Sequence, residues 1–299
     1  MARPGKRLVT TAVVQHACDD DPRTNLERTA DGIRMATQRG ANLILLPELH
    51  RTRYFCQSER ADHFDLAEPI PGPTTEALAA LASELSVVVV GSIFERRTRG
   101  LYHNTAVVID RAAGLIGRYR KMHIPDDPGY FEKYYFTPGD QGFTPIDTSL
   151  GRLGVLVCWD QWFPEAARLM ALAGAEILLY PTAIGDDPDE PADVRERHRN
   201  AWQTMQRAHA IANGIPVAVA NRVGSEPRDD GGQGIRFWGS SFLCGPLGEV
   251  VAESPDDAAS VLVHPFELEQ SDSVRRVWPF LRDRRVDAYA GLTEIFRDR

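Results

Sequence analysis

An α/β domain built of layers is predicted by two features of this 299-residue sequence: short apolar runs rich in β-branched residues recur along it, and amphipathic segments of helical period fall between them. A third feature, runs apolar on both faces mixed with polar-alternating ones such as 240–243, places the helices outside sheets. Residues 8–14, 43–46, 87–93, 106–109, 153–157, 177–180, 217–220 and 261–263 read as strands. Residues 25–38 put Leu26, Ala30, Ile33 and Ala36 on one helical face, and 74–85 do so with Leu78, Leu81, Ala82 and Leu85. A helix over 164–173 follows from Pro164 in the first turn, Glu165 near the positive end of the dipole and Gly174 just past the end. A longer helix over 194–213 is closed by Gly214, and Pro216 opens the next strand.

The Gly-, Pro- and Asp-rich stretches 186–191 and 224–234 are expected to be loops inside one domain spanning 1–299, because strand patterns resume after each. The last segment, 273–299, is Arg-rich with Trp278, Phe280 and Leu281 among the charges, and is expected to pack at a subunit interface.

With 43% hydrophobic and 25% charged residues the chain can bury a large core. Its net charge of −8, without a basic run interleaved with aromatics, argues against nucleic acid as a partner. No apolar run is long enough to span a bilayer, and the N-terminus lacks a signal-peptide pattern. The four cysteines, Cys18, Cys56, Cys158 and Cys244, are too scattered for a metal site or a disulfide scaffold, so a cytoplasmic protein with reduced thiols is expected.

Three strand ends carry chemistry. The segment R-L-G-V-L-V-C-W-D-Q-W-F-P-E runs a buried strand up to Cys158 and starts a helix shortly after, a placement that exposes a nucleophile beside backbone N–H groups. Taken alone, such a cysteine is more often a small buried hydrophobe. Glu48 ends L-I-L-L-P-E-L behind a proline that stops ladder pairing, where desolvation suits a carboxylate to act as a base. Lys121, in G-R-Y-R-K-M-H-I-P, ends a third strand-like run. Base, cation and nucleophile are together what thiol-based amide hydrolysis requires.

The P-E-L around Glu48, R-K-M-H-I-P around Lys121 and C-W-D-Q-W-F-P-E around Cys158 resemble, in order, the three signatures of the nitrilase superfamily of carbon-nitrogen hydrolases. Longer strings are similar to its N-carbamoylputrescine amidases: Y-F-C-Q from Tyr54, K-M-H-I-P-D-D-P-G-Y from Lys121, E-K-Y-Y-F-T-P-G-D from Glu132 and Y-P-T-A-I-G from Tyr180. The resemblance implies a four-layer α-β-β-α sandwich, Glu48 as base, Lys121 as oxyanion partner, Cys158 as nucleophile and Glu132 as a second glutamate ordering the site. It also implies a homo-oligomer built from dimers, a small carbamoyl amine as substrate and no metal or organic cofactor.

The expected reaction is hydrolysis of N-carbamoylputrescine to putrescine, carbon dioxide and ammonia through a carbamoyl-thioester on Cys158, with the Trp159 N–H assisting at the oxyanion. Tyr54, Tyr130, Trp159 and Trp162 are candidate walls of the substrate slot, and Asp187 is the candidate partner of the substrate amine. Arg195, Arg197 and Arg199 keep open a carboxylate-bearing substrate, as in a β-ureidopropionase-like or carbamoyl-amino-acid amidohydrolase. A nitrilase proper and a non-catalytic assembly protein on the same fold are the remaining alternatives. His123 and His198 offer imidazoles, but the sequence places neither beside Cys158.

Overall fold

The computed structural model describes residues 7–297. The first half runs β1 (Leu8–Gln15), α1 (Pro22–Gln38), β2 (Leu43–Leu45), α2 (Pro73–Leu85), β3 (Val88–Thr98), β4 (Leu101–Asp110) and β5 (Gly114–Arg120). After the short α3 (Glu132–Tyr135) come β6 (Ile146–Thr148), β7 (Gly151–Val155), α4 (Pro164–Leu172), β8 (Ile177–Pro181), β9 (Gly185–Asp186), α5 (Ala192–Asn213) and β10 (Val217–Ala220). The chain continues through β11 (Val223–Glu226), β12 (Ile235–Trp238), β13 (Phe242–Cys244), β14 (Val250–Glu253), β15 (Ser260–Glu267) and α6 (Glu269–Val277).

Two six-stranded sheets result, with strand orders β15-β1-β2-β3-β4-β5 and β14-β13-β10-β8-β7-β6. Each has three parallel strands at its centre, β1-β2-β3 and β10-β8-β7, flanked by antiparallel ones. Alternation along the strands builds the layers. Val13, Leu45, Val90 and Val108 share a core with Val155, Leu179 and Val219 of the other sheet. Their neighbours Ala12, Ile44, Val89 and Val107 instead pack with Ile33 of α1 and Leu78 of α2. With α4 and α5 contacting the second sheet, the order of layers is the expected α-β-β-α.

Several expectations need correction. β7 ends at Val155, and Cys158 opens a 3₁₀ turn (Cys158–Trp162) rather than terminating the strand; the last ladder bond is Leu156 N to Leu179 O, 3.0 Å. β2 likewise stops at Leu45, with Leu46 N still donating to Val90 O at 2.9 Å, so Glu48 stands in the turn beyond Pro47, which has no N–H to give. The stretch expected as a loop over 224–234 is partly the hairpin β11–β12, and Gly185–Asp186 pairs with β12. The sequence V-G-S-E of β11 lacks the apolar alternation that marks a strand, and pairing with the buried Ile235 and Phe237 supplies what local pattern does not. α6 crosses the boundary drawn at Ser273.

Candidate active site

Four segments converge beyond the ends of β2, β5, β7 and β8. The turn after β2 carries Glu48, the residue after β5 is Lys121, the 3₁₀ turn after β7 opens with Cys158, and β8 leads to Ala183. Side chains beyond the carboxyl ends of parallel strands face a crevice that the strands themselves leave unfilled.

Lys121 Nζ lies 2.8 Å from Glu48 Oε1 and 2.7 Å from Glu132 Oε2, with all three side chains buried. Asn104 Nδ2 donates to the same Glu48 Oε1 at 2.7 Å. The Asn104 amide is oriented by Ser92 Oγ, which donates to its Oδ1 at 2.8 Å and accepts the Leu49 N–H at 3.2 Å. Among the described residues Glu48 Oε2 is buried without a hydrogen-bond partner. One carboxylate oxygen is thus fixed by two donors while the other is left for a proton.

Burial alone would lower the Lys121 ammonium, but the carboxylates of Glu132 and Glu48 outweigh it and hold the group well above its ordinary value. Burial raises the Glu132 carboxyl, opposed by Lys121 and reinforced by the negative charge of Glu48. Tyr54 donates its hydroxyl to Glu132 Oε1 at 2.7 Å; burial raises that phenol too, so it stays a donor.

Cys158 has φ +43°, a left-handed conformation unusual for a residue with a Cβ, and the strain turns its side chain toward Ala183 O, 3.8 Å from Sγ. Asp160 locks this turn. Its Oδ2 accepts the Val157 N–H at 2.9 Å and the Tyr119 hydroxyl at 2.8 Å, while Oδ1 receives His123 N at 3.0 Å and stands 2.7 Å from His123 Nδ1. The Cys158 turn and the strand that delivers Lys121 are therefore tied together by one carboxylate. Asp160 N is the first amide bonded back within the turn, to Val157 O at 3.1 Å, so the Trp159 amide precedes the turn's own hydrogen bonds.

Burial pushes the Cys158 thiol well above its usual range, with Glu48 adding to the rise and Lys121 opposing it. The other thiols are also raised by burial, Cys18 and Cys244 to about 12 and Cys56 well above its usual value. Burial therefore does not single out one thiol, and Cys56 shares the influence of Glu132, Lys121 and Glu48; what sets Cys158 apart is its left-handed position at the head of the 3₁₀ turn. A neutral resting thiol needs a base beside it, and Glu48 Oε2 is the free basic oxygen of this cluster.

Of the expected slot walls, Tyr54 and Tyr130 meet with ring centroids 5.5 Å apart, and Tyr130 Oη accepts from Gly185 N at 3.0 Å. Trp159 and Trp162 pack edge to face at 6.5 Å. Asp187 is exposed, its Oδ1 accepting the Asp189 N–H at 2.9 Å, and among the described residues no hydrogen bond or ion pair joins it to Glu48, Lys121, Glu132 or Cys158. Its neighbour Asp186 has one buried carboxylate oxygen without a hydrogen-bond partner among the described residues. His198 faces Glu190 at 3.5 Å, away from the cluster. Among the described residues no group of three His, Cys, Asp or Glu is placed to hold a metal ion.

Sequence reasoning passed over Asn104, Asp160, Gln161, Arg222 and Glu226. Asn104 carried a signal, a polar residue inside the apolar strand pattern of β4. Arg222 and Glu226 carried none, because their role depends on contacts with a segment some 170 residues away (Arg222 Nη1 to Thr52 O, separation 170).

A thiol, a carboxylate with a free oxygen and a carboxylate-held ammonium in one closed cluster are the equipment of nucleophilic cleavage at a carbon–nitrogen bond. The profile of the carbon-nitrogen hydrolase family matches residues 10–276, and the chain belongs to that family, the nitrilase superfamily. It is a hydrolase of carbon–nitrogen bonds other than peptide bonds. Over 293 residues it is 47% identical to an N-carbamoylputrescine amidase of Solanum lycopersicum, covering 97% of this chain and 96% of the relative. It is 42% identical to a citrullinase of Francisella tularensis, with 94% and 96% covered. A crystal structure of a carbon-nitrogen hydrolase from Helicobacter pylori G27 superposes with a TM-score of 0.94 at 49% identity, covering 97% of this chain and 100% of that one.

Proposed function

We propose that this protein hydrolyses N-carbamoylputrescine to putrescine, carbon dioxide and ammonia, with Cys158 as nucleophile. The observation that carries the mechanism is Glu48 Oε2, unpartnered among the described residues, on a carboxylate whose other oxygen is held by Lys121 and Asn104. Similarity to N-carbamoylputrescine amidases over nearly the whole chain supports the substrate.

A carbamoyl group is a poor electrophile, so the reaction needs thiolate attack, charge stabilisation at the oxygen and a proton for the leaving amine. Glu48 Oε2 takes the Cys158 proton as sulfur bonds to the carbamoyl carbon. Lys121 and the Trp159 N–H stabilise the oxyanion, while Glu132 holds Lys121 in position. Glu48 returns the proton to the departing nitrogen, and the C–N bond breaks to leave a carbamoyl-thioester. Water, giving a proton to Glu48, attacks the thioester; the C–S bond breaks, the thiol is regenerated, and the released carbamate decomposes to carbon dioxide and ammonia.

Tyr54, Tyr130, Trp159 and Trp162 line the slot in this reading, and Asp187 pairs with the distal ammonium. Two copies associate through the surface formed by α4 and the C-terminal segment, where Leu169, Leu172, Trp278, Phe280 and Leu292 are exposed apolar side chains. The protein works in the cytoplasm; among the described residues no helix is long and apolar enough to cross a membrane.

Ammonia release from N-carbamoylputrescine, N-carbamoyl-β-alanine and citrulline, with Cys158→Ala as blank, tests the proposal. Preference for the carbamoyl amine is expected, with no turnover in the blank. Asp187→Asn is expected to raise KM for the cationic substrate at near-constant kcat, with Asp186→Asn as the comparison. Turnover by Cys158→Ala would refute the mechanism, and preference for citrulline or N-carbamoyl-β-alanine would refute the substrate.

A further inference from the structure

Three residues past Cys158, Gln161 is fully buried, with its amide Nε2 4.0 Å from Cys158 Sγ. Which end of the amide faces the sulfur is decided by the other side of the group. Trp202 Nε1 lies 2.8 Å from Gln161 Oε1, and an indole N–H can only donate, so the oxygen belongs on that side and the NH₂ on the sulfur's. The Thr182 hydroxyl stands 3.4 Å from the same oxygen. Turning the amide over would set two N–H groups against each other in a buried site.

The donor is also held rigidly. Trp202 is buried against Trp238 and Phe242, each with ring centroids 5.6 Å away, and His209 Nε2 is 2.8 Å from Gln161 O. Lys121, the nearby cation, already spans two carboxylates at 2.8 and 2.7 Å. A thiolate forming at Cys158 would therefore have no ammonium to itself.

We propose that Gln161 stabilises the Cys158 thiolate by donating an amide N–H to Sγ as Glu48 removes the thiol proton. The step moves one proton from Sγ to Glu48 Oε2 and breaks no other bond. An amide N–H interacts more strongly with a negatively charged sulfur than with a neutral thiol, so the interaction is stronger in the reacting state than at rest. A neutral amide does this without another cation that would compete with Lys121 for Glu48. The proposal deepens the function given above and rests on Cys158 being the nucleophile.

The test is alkylation of Cys158 by iodoacetamide, read by mass spectrometry of its peptide across a pH series, beside steady-state kinetics with N-carbamoylputrescine. Gln161→Leu is expected to slow alkylation near neutrality by about 10- to 100-fold, the equivalent of a hydrogen bond to a charged group, and to move the profile to higher pH. The kcat should fall with KM nearly unchanged. Gln161→Glu keeps the shape and the Trp202 bond but sets an oxygen against sulfur, so it should slow alkylation too and serves if the leucine variant does not fold. A wild-type alkylation profile in either folded variant overturns the proposal, as does a loss of kcat with alkylation unchanged. The nucleophile assignment fails separately, through turnover by Cys158→Ala, a variant in which Gln161 is intact.

Discussion

Replacing Arg222 by Met should destabilise the fold and impair the base together, because this one guanidinium organises the turn that carries Glu48. Arg222 is fully buried. Its Nη2 donates to the carbonyls of Glu48 and Leu49 at 2.9 and 3.0 Å, and its Nη1 to Thr52 O at 3.2 Å and Glu226 Oε1 at 2.7 Å. Glu226 Oε2 in turn accepts the Tyr54 N–H at 2.6 Å. Leu49, within the clamped turn, sits at φ +48°, a conformation that needs such restraint. Removing one partner of a buried ion pair costs about 3–5 kcal/mol, and here the orphaned carbonyls place the loss toward the upper part of that range. At about 2–3 °C per kcal/mol for a protein of this size, the midpoint of thermal unfolding should drop by roughly 10 °C. The double variant Arg222→Met, Glu226→Gln removes both charges, so its loss should be about 2 kcal/mol or more below the sum of the single losses. Calorimetry or circular dichroism melts give the cycle, and kcat of the folded Arg222→Met protein at low temperature should fall about 10²-fold if Glu48 drifts by about an ångström. A melting shift under about 2 °C, or additive losses, would refute the clamp.

Glu132→Gln keeps the shape of the site but removes a charge from Lys121 Nζ, and kcat should fall about 10²-fold with a smaller change in KM, as for loss of an oxyanion-orienting group; steady-state kinetics measure it. His16 and His50 flank Thr29 Oγ1 at 3.2 and 3.0 Å, and burial lowers them from 6.5 to about 4 and about 3. Both are neutral in the fold while the unfolded chain protonates below about 6.5, so stability is full above that pH and declines as pH falls toward the folded values. The decline amounts to about 2 kcal/mol per histidine at about pH 5, measurable by urea unfolding at two pH values. A pH-independent urea midpoint between about pH 5 and 7 would exclude neutral burial. Trp278→Asp with Phe280→Asp should shift the protein toward monomer in sedimentation velocity without disturbing the monomer fold, given their exposure of 51% and 45%.

The parts of this molecule that could be read from sequence are those whose cause is local. The parallel strands at the sheet centres are buried on both faces and announce themselves as continuous apolar runs, and α1, α2 and α4 begin at prolines and carry apolar faces of helical period. Glu48 and Cys158 were conspicuous because each follows such a run with a group that a core does not need, whereas Lys121, after G-R-Y-R at the edge strand β5, stood out only beside those two and through the R-K-M-H-I-P string. What did not show was whatever depends on distant partners. The strand β11 exists through its pairing with β12, and the 3₁₀ turn at Cys158 through the buried carboxylate of Asp160.

The same distinction explains why the proposed catalytic groups stand out in the sequence and the residues that position them do not. A nucleophile, a base and a cation differ chemically from their surroundings, whereas Asn104, Gln161 and Arg222 are ordinary polar residues until the fold buries them. Once buried, each pairs most of its hydrogen-bonding groups, Arg222 Nε excepted, and the way it does so positions an atom of the site: Asn104 holds one oxygen of Glu48, Arg222 holds the Glu48 carbonyl, and Gln161 turns its amide toward sulfur. The cost of leaving those groups unpaired is what makes the site rigid. Rigidity in turn leaves Glu48 Oε2 as the free oxygen of a cluster in which the competing donors are already engaged.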